Sequence, residues 1–298
     1  MPQPSHFPRT EATATVFLCR GANATPKSLL LFLALFSTTA CGILGPDEPD
    51  FGKPQAGELK VLFIGSSYLA VNDLPGIFQG MAEAAGKEVF VARRVQSGFY
   101  LDFFAQDAAT TQAIRNQKWD YVILSGGCQT AGYPDTHHLI RGDWGYHDPF
   151  SALTELKRKV TKNHQGTVLI YMMPWAFEDG MTWIPGQTDD YFAMQGKIRK
   201  NALAWANSID LGLAPVGMAW EEVMEWDIPA HYLHMSDWNH PNLRGSYLSA
   251  ATVFSTVFQE SSDDVDYRRG LSQTEAEALR RVGSETVLDS LALWNIVR

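Results

Sequence analysis

A three-layer α/β/α sandwich on a central parallel sheet of about five strands is the fold class that this sequence predicts. Two observations predict it. Short, nearly continuous apolar runs recur along the chain, and segments with helical spacing separate them. Runs that are apolar on both faces mark strands covered on both sides. Strands alternating with helices imply a parallel sheet.

Residues 59–65 (LKVLFIG) give the first strand, and 88–95 (EVFVARRV), 119–124 (WDYVIL) and 167–173 (TVLIYMM) the next three. A short fifth strand is read over 211–216. Between the first two, 74–86 has helical spacing, with Asp73 as N-cap and Gly86 as stop. Further helices are read over 150–163, 190–208 and 243–259, the last long and mostly apolar. The tail, 272–297, reads as one or two amphipathic helices, opened by a Ser272/Glu275 capping box. Right-handed crossovers bring every strand's C-terminal end to one edge, where flavodoxin-like sheets bind ligands. The connections 126–149 and 174–189 are long and rich in Gly, Trp, Tyr and His, as functional loops often are. No internal repeat and no second domain is evident.

Composition narrows the function. The chain is 45% hydrophobic and 19% charged, as a folded body requires, and its net charge is -9. An acidic chain without a basic stripe repels phosphate backbones, so nucleic acid is not an expected partner. Three cysteines, Cys19, Cys41 and Cys128, are too few for a disulfide framework and fit no zinc spacing. Cys128 is read as a small buried hydrophobe. His137, His138 and His147 share one polar loop, and His231 and His234 another; they are read as surface or pocket-lining groups. No histidine pair has zincin spacing, so no metal is expected.

The first residues do not read as globular. Lys27, the apolar run 28–40 (SLLLFLALFSTTA) and Cys41-Gly42 make a secretory signal too short to span a membrane comfortably. A cysteine after small residues resembles the bacterial lipoprotein signal, although Thr38 stands where that pattern usually has leucine. The resemblance implies removal of 1–40 and a lipid on Cys41, which anchors the chain to the cell envelope; plain secretion and an uncleaved anchor are the alternatives. Residues 41–57, rich in Gly, Pro and acid, read as a tether to the body, 58–298.

Two short segments carry chemistry. Gly65-Ser66-Ser67 ends the first strand, which exposes a serine at the sheet edge; a serine there is also a common helix cap. Asp237-Trp238-Asn239-His240-Pro241 precedes the long apolar helix, and an aspartate three residues before a histidine can curl back to hold one imidazole tautomer. It can also simply solvate a loop.

Together, FIGSSY and DWNHPNLRGSYLSAA resemble the first and last blocks of the SGNH/GDSL hydrolase family. LPGIFQGMAEAAGKEV and WDYVILSG resemble its connecting segments, so the likeness covers 59–259. It implies a serine esterase without metal or organic cofactor, with Ser67 as nucleophile, His240 as base and Asp237 as its orienting acid. It also implies an oxyanion hole from the Ser67 and Gly98 N–H groups and a side-chain amide. The family asparagine that supplies this amide is missing; Gln129 in Gly127-Cys128-Gln129 takes its slot, with Ser125 next and an ordinary loop role for Gln129 open. Asn72-Asp73 matches that block by letters but follows the wrong strand. Export favours a carbohydrate or other small acyl ester as substrate; Trp144, Trp175, Trp183 and Trp238, in loops near the active edge, either stack on sugar rings or fill gaps, and both readings stay open. Two competing readings are a non-catalytic glycan-binding lipoprotein on the same fold and a flavodoxin-like phosphate binder, which the first loop suits poorly for want of a glycine cradle and a lysine.

Overall fold

A computed structural model describes residues 51–133 and 147–296. The signal segment, Cys41, His137, His138 and Trp144 lie outside the described residues. Five strands, β1 (Leu59–Gly65), β2 (Val89–Val95), β3 (Tyr121–Ser125), β4 (Val168–Met172) and β5 (Gly212–Ala214), form one sheet in the order β2-β1-β3-β4-β5. All four pairings are parallel. The order reverses between β1 and β3, which opens a crevice at the carboxyl ends of those strands. Val61, Leu62, Phe63 and Ile64 of β1 are fully buried, as a central strand covered on both faces must be.

The helices are α1 (Ser67–Ala70), α2 (Leu74–Ala84), α3 (Leu101–Gln106), α4 (Ala108–Asn116), α5 (Cys128–Gly132), α6 (Pro149–Asn163), α7 (Tyr191–Ile209), α8 (Val216–Met224), α9 (Leu243–Phe258) and α10 (Gln273–Leu288). The apolar α9 packs against α2, α8 and α10, while α6 packs against α3 and α4. Of these, α1, α3, α4, α5 and α8 carry no element in the sequence reading. Asp73 caps α2 through a bond from the Gly76 N–H, and Ser272 and Glu275 form the capping box of α10. Among the described residues a single helix occupies the tail, followed by turns. No helix among the described residues is long and apolar enough to cross a membrane.

The described end of the tether segment lies against the body: Phe51 is half-buried and packed on the core. Trp119, Trp175 and Trp220 are the largest fully buried side chains. Burying an apolar side chain of smaller size contributes roughly 1.5–3 kcal/mol. The fold therefore has a heavy aromatic anchor, and two of its three tryptophans stand beneath the site described next.

Candidate active site

The first three strands each deliver one piece of the site. After β1 the chain passes Gly65 and Ser66 and enters α1 at Ser67. A side chain at Gly65 would stand 2.7 Å from the Ser125 carbonyl oxygen, so only glycine lets β1 and β3 close up at this edge. After β2, Gly98 turns with φ +82°, a left-handed conformation that L side chains rarely adopt. After β3, Gly127 leads into α5, where Gln129 sits half-buried.

The loop before α9 delivers the rest. Asp237 Oδ1 accepts from the backbone N–H groups of Asn239 (3.1 Å) and His240 (2.9 Å). Trp238 takes φ +59° to make this tight turn. Asp237 Oδ2 lies 2.6 Å from His240 Nδ1, and His240 Nε2 lies 2.8 Å from Ser67 Oγ. A carboxylate only accepts, so Nδ1 carries the proton and Nε2 is left bare to accept from the serine hydroxyl. The structure thus brings together Ser67, His240 and Asp237, the residues singled out from sequence.

Burial acts to raise the Asp237 carboxyl. The hydrogen bonds from the His240 ring and from the His240 and Asn239 N–H groups, with the His240 charge, outweigh it and hold the carboxyl below its usual range. The sign follows directly. What this carboxylate contributes to stability is complete above about pH 4, its unfolded value, and is lost as pH falls through the lowered one.

A second tier of residues holds this loop, and sequence reasoning missed it. Asn72, at φ +58°, donates from Nδ2 to the Pro241 carbonyl (3.1 Å) and to Ser246 Oγ (3.0 Å). Its likeness to a catalytic block is accidental, and it ties the segment after Ser67 to the segment after His240. Asn242 caps α9 and donates to the carbonyls of His231, Tyr232 and His234. Trp175 stacks on Tyr68 at 4.4 Å and on Trp220 at 4.2 Å, and its indole N–H donates to the Asn239 carbonyl at 3.0 Å. Trp175 is therefore a buried support of the loop and offers no face to a ligand, whereas Trp183 and Trp238 are exposed.

His234, buried under the same loop, places Nε2 3.0 Å from the Ala176 carbonyl, and its Nδ1 has no partner among the described residues. Burial pushes its pKa down, against the opposing pull of the Ala176 carbonyl and Glu178. As pH drops below about 6.5 the unfolded chain binds this proton before the folded one, so folding loses stability from that pH downward. The thermal midpoint is expected to fall between pH 7.5 and 5.5. His234→Gln, which keeps a donor for Ala176 but does not titrate, should flatten that slope; a scan with identical slopes for both chains would contradict it.

Cys128 is fully buried, and its Sγ lies 2.9 Å from the Tyr68 hydroxyl. Burial pushes the thiol up to about 12, against the lowering effect of the Tyr68 bond. The thiolate is then absent near neutrality. With Cys19 and Cys41 replaced by serine, a thiol-specific disulfide reagent should leave the native protein unmodified and take up one equivalent after denaturation. Rapid labelling of the native chain would show the reading of Cys128 to be wrong.

Ser67, Gly98, Gly127, Gln129, Asn239 and His240 line one cavity of about 640 Å³. Ser125, the other candidate donor, is buried beside Gly65 and does not line it; among the described residues its Oγ has no hydrogen-bond partner. A second cavity of about 450 Å³ shares Gly98, Phe99 and Tyr100 with the first and runs on past Asp102, Gln106 and His147. His147 Nδ1 pairs with Asp102 Oδ2 at 2.9 Å. Among the described residues no group of three His, Cys, Asp or Glu side chains is placed to hold a metal ion.

No protein-family model and no curated protein matches this chain. Solved structures do. A DUF4886 family protein from Bacteroides uniformis aligns with TM-score 0.61 at 17% identity, over 78% of this chain and 95% of that one. A protein described as an SGNH hydrolase, from Slackia heliotrinireducens, aligns with TM-score 0.51 at 18% identity, over 66% and 98%. A catalytic mutant of an acetylxylan esterase from Geobacillus stearothermophilus aligns with TM-score 0.50 at 16% identity, over 74% and 100%. The strand order, the crevice at its reversal and these alignments agree: the chain has the fold of the SGNH/GDSL hydrolases.

Proposed function

We propose that this protein is a serine esterase that cleaves short acyl esters, with carbohydrate esters as the favoured class. The observation that carries the reading is the unbroken hydrogen-bond chain from Asp237 through His240 to Ser67, opening on one cavity. His240 Nε2 removes the hydroxyl proton as Ser67 Oγ attacks the ester carbonyl, and Asp237 holds the imidazole and stabilises the imidazolium. The carbonyl C–O double bond opens, and its electron pair goes to the oxyanion, facing the Ser67 and Gly98 N–H groups. His240 then returns the proton to the departing alcohol. Water, deprotonated by the same ring, releases the acyl group and restores Ser67.

The substrate class is drawn from the second cavity. Phe99 and Tyr100 offer aromatic rings beside the nucleophile, and Asp102, Gln106 and His147 offer polar groups beyond them. Rings flanked by hydrogen-bonding side chains suit a sugar, whose faces are apolar and whose edges are hydroxyls. The acetylxylan esterase among the structural neighbours acts on an ester of that kind. Export with a lipid on Cys41 fits a substrate outside the cell and remains part of this proposal.

The test uses a fluorophosphonate probe and a panel of aryl acetates and acetylated oligosaccharides. One equivalent of probe should bind at Ser67, and acetylated glycans should be turned over with higher kcat/KM than the aryl esters. A chain that takes up no probe is a binding module, and the esterase reading then fails. Labelling without any preference for glycans would remove the carbohydrate assignment alone.

A further inference from the structure

In the serine-esterase reading the Ser67 and Gly98 N–H groups meet the oxyanion, and a third donor must be a side-chain amide. Gln129 lines the cavity, yet little holds it. Its Oε1 is turned toward Gly127, and its one side-chain hydrogen bond among the described residues is a long one, 3.8 Å from Cys128 Sγ. A donor that must reorient during the reaction forfeits much of its value, because oxyanion stabilisation depends on groups fixed in advance.

Asn239 is fixed at three points. Its N–H donates to Asp237 Oδ1, its carbonyl accepts from the Trp175 indole, and its Oδ1 accepts from the Tyr68 hydroxyl. Tyr68 follows the nucleophile directly and Asn239 precedes the base directly, so this last bond joins the two reacting residues' neighbours. Burial raises the Tyr68 pKa well above its ordinary value, so the phenol keeps its proton and stays a donor. Tyr68 also touches Cys128, and Asn239 Oδ1 lies 3.8 Å from Cys128 Sγ. The Asn239 amide therefore arrives beside the loop after β3.

An amide whose oxygen is clamped has its NH₂ turned the other way. Asn239 is half-buried and lines the cavity with Ser67 and Gly98, and among the described residues nothing accepts from Nδ2. We infer that Asn239, from the base-bearing loop, supplies the side-chain hydrogen bond to the oxyanion, in the role that sequence assigned to Gln129. The inference rests on the serine-esterase reading. Tyr68 is then a positioning residue, acting through Asn239.

The experiment compares the full chain with Asn239→Ala, Asn239→Asp and Gln129→Ala on an aryl acetate, with fluorophosphonate end-point labelling of each. Asn239→Ala should lower kcat by roughly 10²–10³-fold, the usual loss for one oxyanion donor, with KM little changed. Labelling should still reach one equivalent, and the acid limb of the kcat–pH profile should stay where it is. Asn239→Asp keeps the shape and the Tyr68 bond but aims a negative oxygen at the oxyanion, so its kcat should fall at least as far. Gln129→Ala, which also changes the cavity lining, should cost at least about tenfold less in kcat than Asn239→Ala. A small effect at Asn239, a larger one at Gln129, or a loss accompanied by a displaced acid limb would overturn the assignment; the last marks mere positioning of His240. A parent chain that neither labels nor turns over would sink the esterase reading itself, and this assignment with it.

Discussion

Ser67→Ala is expected to lower turnover of a short-chain aryl acetate by roughly 10⁴–10⁶-fold, the range seen when a triad nucleophile is removed. The fold should be untouched. Among the described residues the Ser67 hydroxyl makes one hydrogen bond, to His240 Nε2 at 2.8 Å, and alanine suits the first position of α1. What remains after the change is the work of the oxyanion donors and of binding alone. Steady-state kinetics and a thermal melt measure both halves. A variant with parental kcat/KM and an unchanged melt would remove Ser67 from the chemistry.

Asp237→Asn should cost about 10⁴-fold in kcat. The argument lies in the two oxygens of this residue. Oδ1 accepts from the Asn239 and His240 N–H groups, and an asparagine oxygen can keep both bonds, so the turn survives. Oδ2 accepts from His240 Nδ1, and the NH₂ that replaces it can only donate. The imidazole must then present a bare Nδ1 to the amide and carry its proton on Nε2, toward Ser67 Oγ. A base that already holds its proton cannot take another. Asp237→Ala should cost stability as well, because the turn loses its acceptor; Asp237→Asn should separate the tautomer from the turn. Equal kcat in the asparagine variant and the parent would show that the tautomer is not set by Asp237.

Much of the sheet was legible because buried parallel strands are apolar on both faces and read as unbroken runs. β1 is the clearest case, with five consecutive buried residues. The crossover from β2 to β3 was not legible as helix. It is split into α3 and α4 at Asp107, which caps α4 through the Thr110 N–H, and neither piece is long enough to show a period. α8 was hidden for a similar reason: it starts two residues after a three-residue strand, so strand and helix merge into one apolar stretch.

At the site, the letters of the triad could be matched to a known pattern, and its order along the chain made the match specific. The supports could not. Asn72, Trp175 and Tyr68 act through contacts with residues 45 to 174 positions away, and no local spacing encodes them. Trp175 looked like a loop aromatic free to stack on a sugar because nothing nearby shows that Trp220 and Tyr68 enclose it.

Ser67 and His240 lie 173 residues apart in sequence, and the Asn72 side chain that clamps their two segments together spans nearly the same interval. A growing polypeptide therefore holds no working centre until α9 has docked and drawn its leading loop over the strand edge. Ester cleavage should return last in refolding, after helical signal and core fluorescence have recovered.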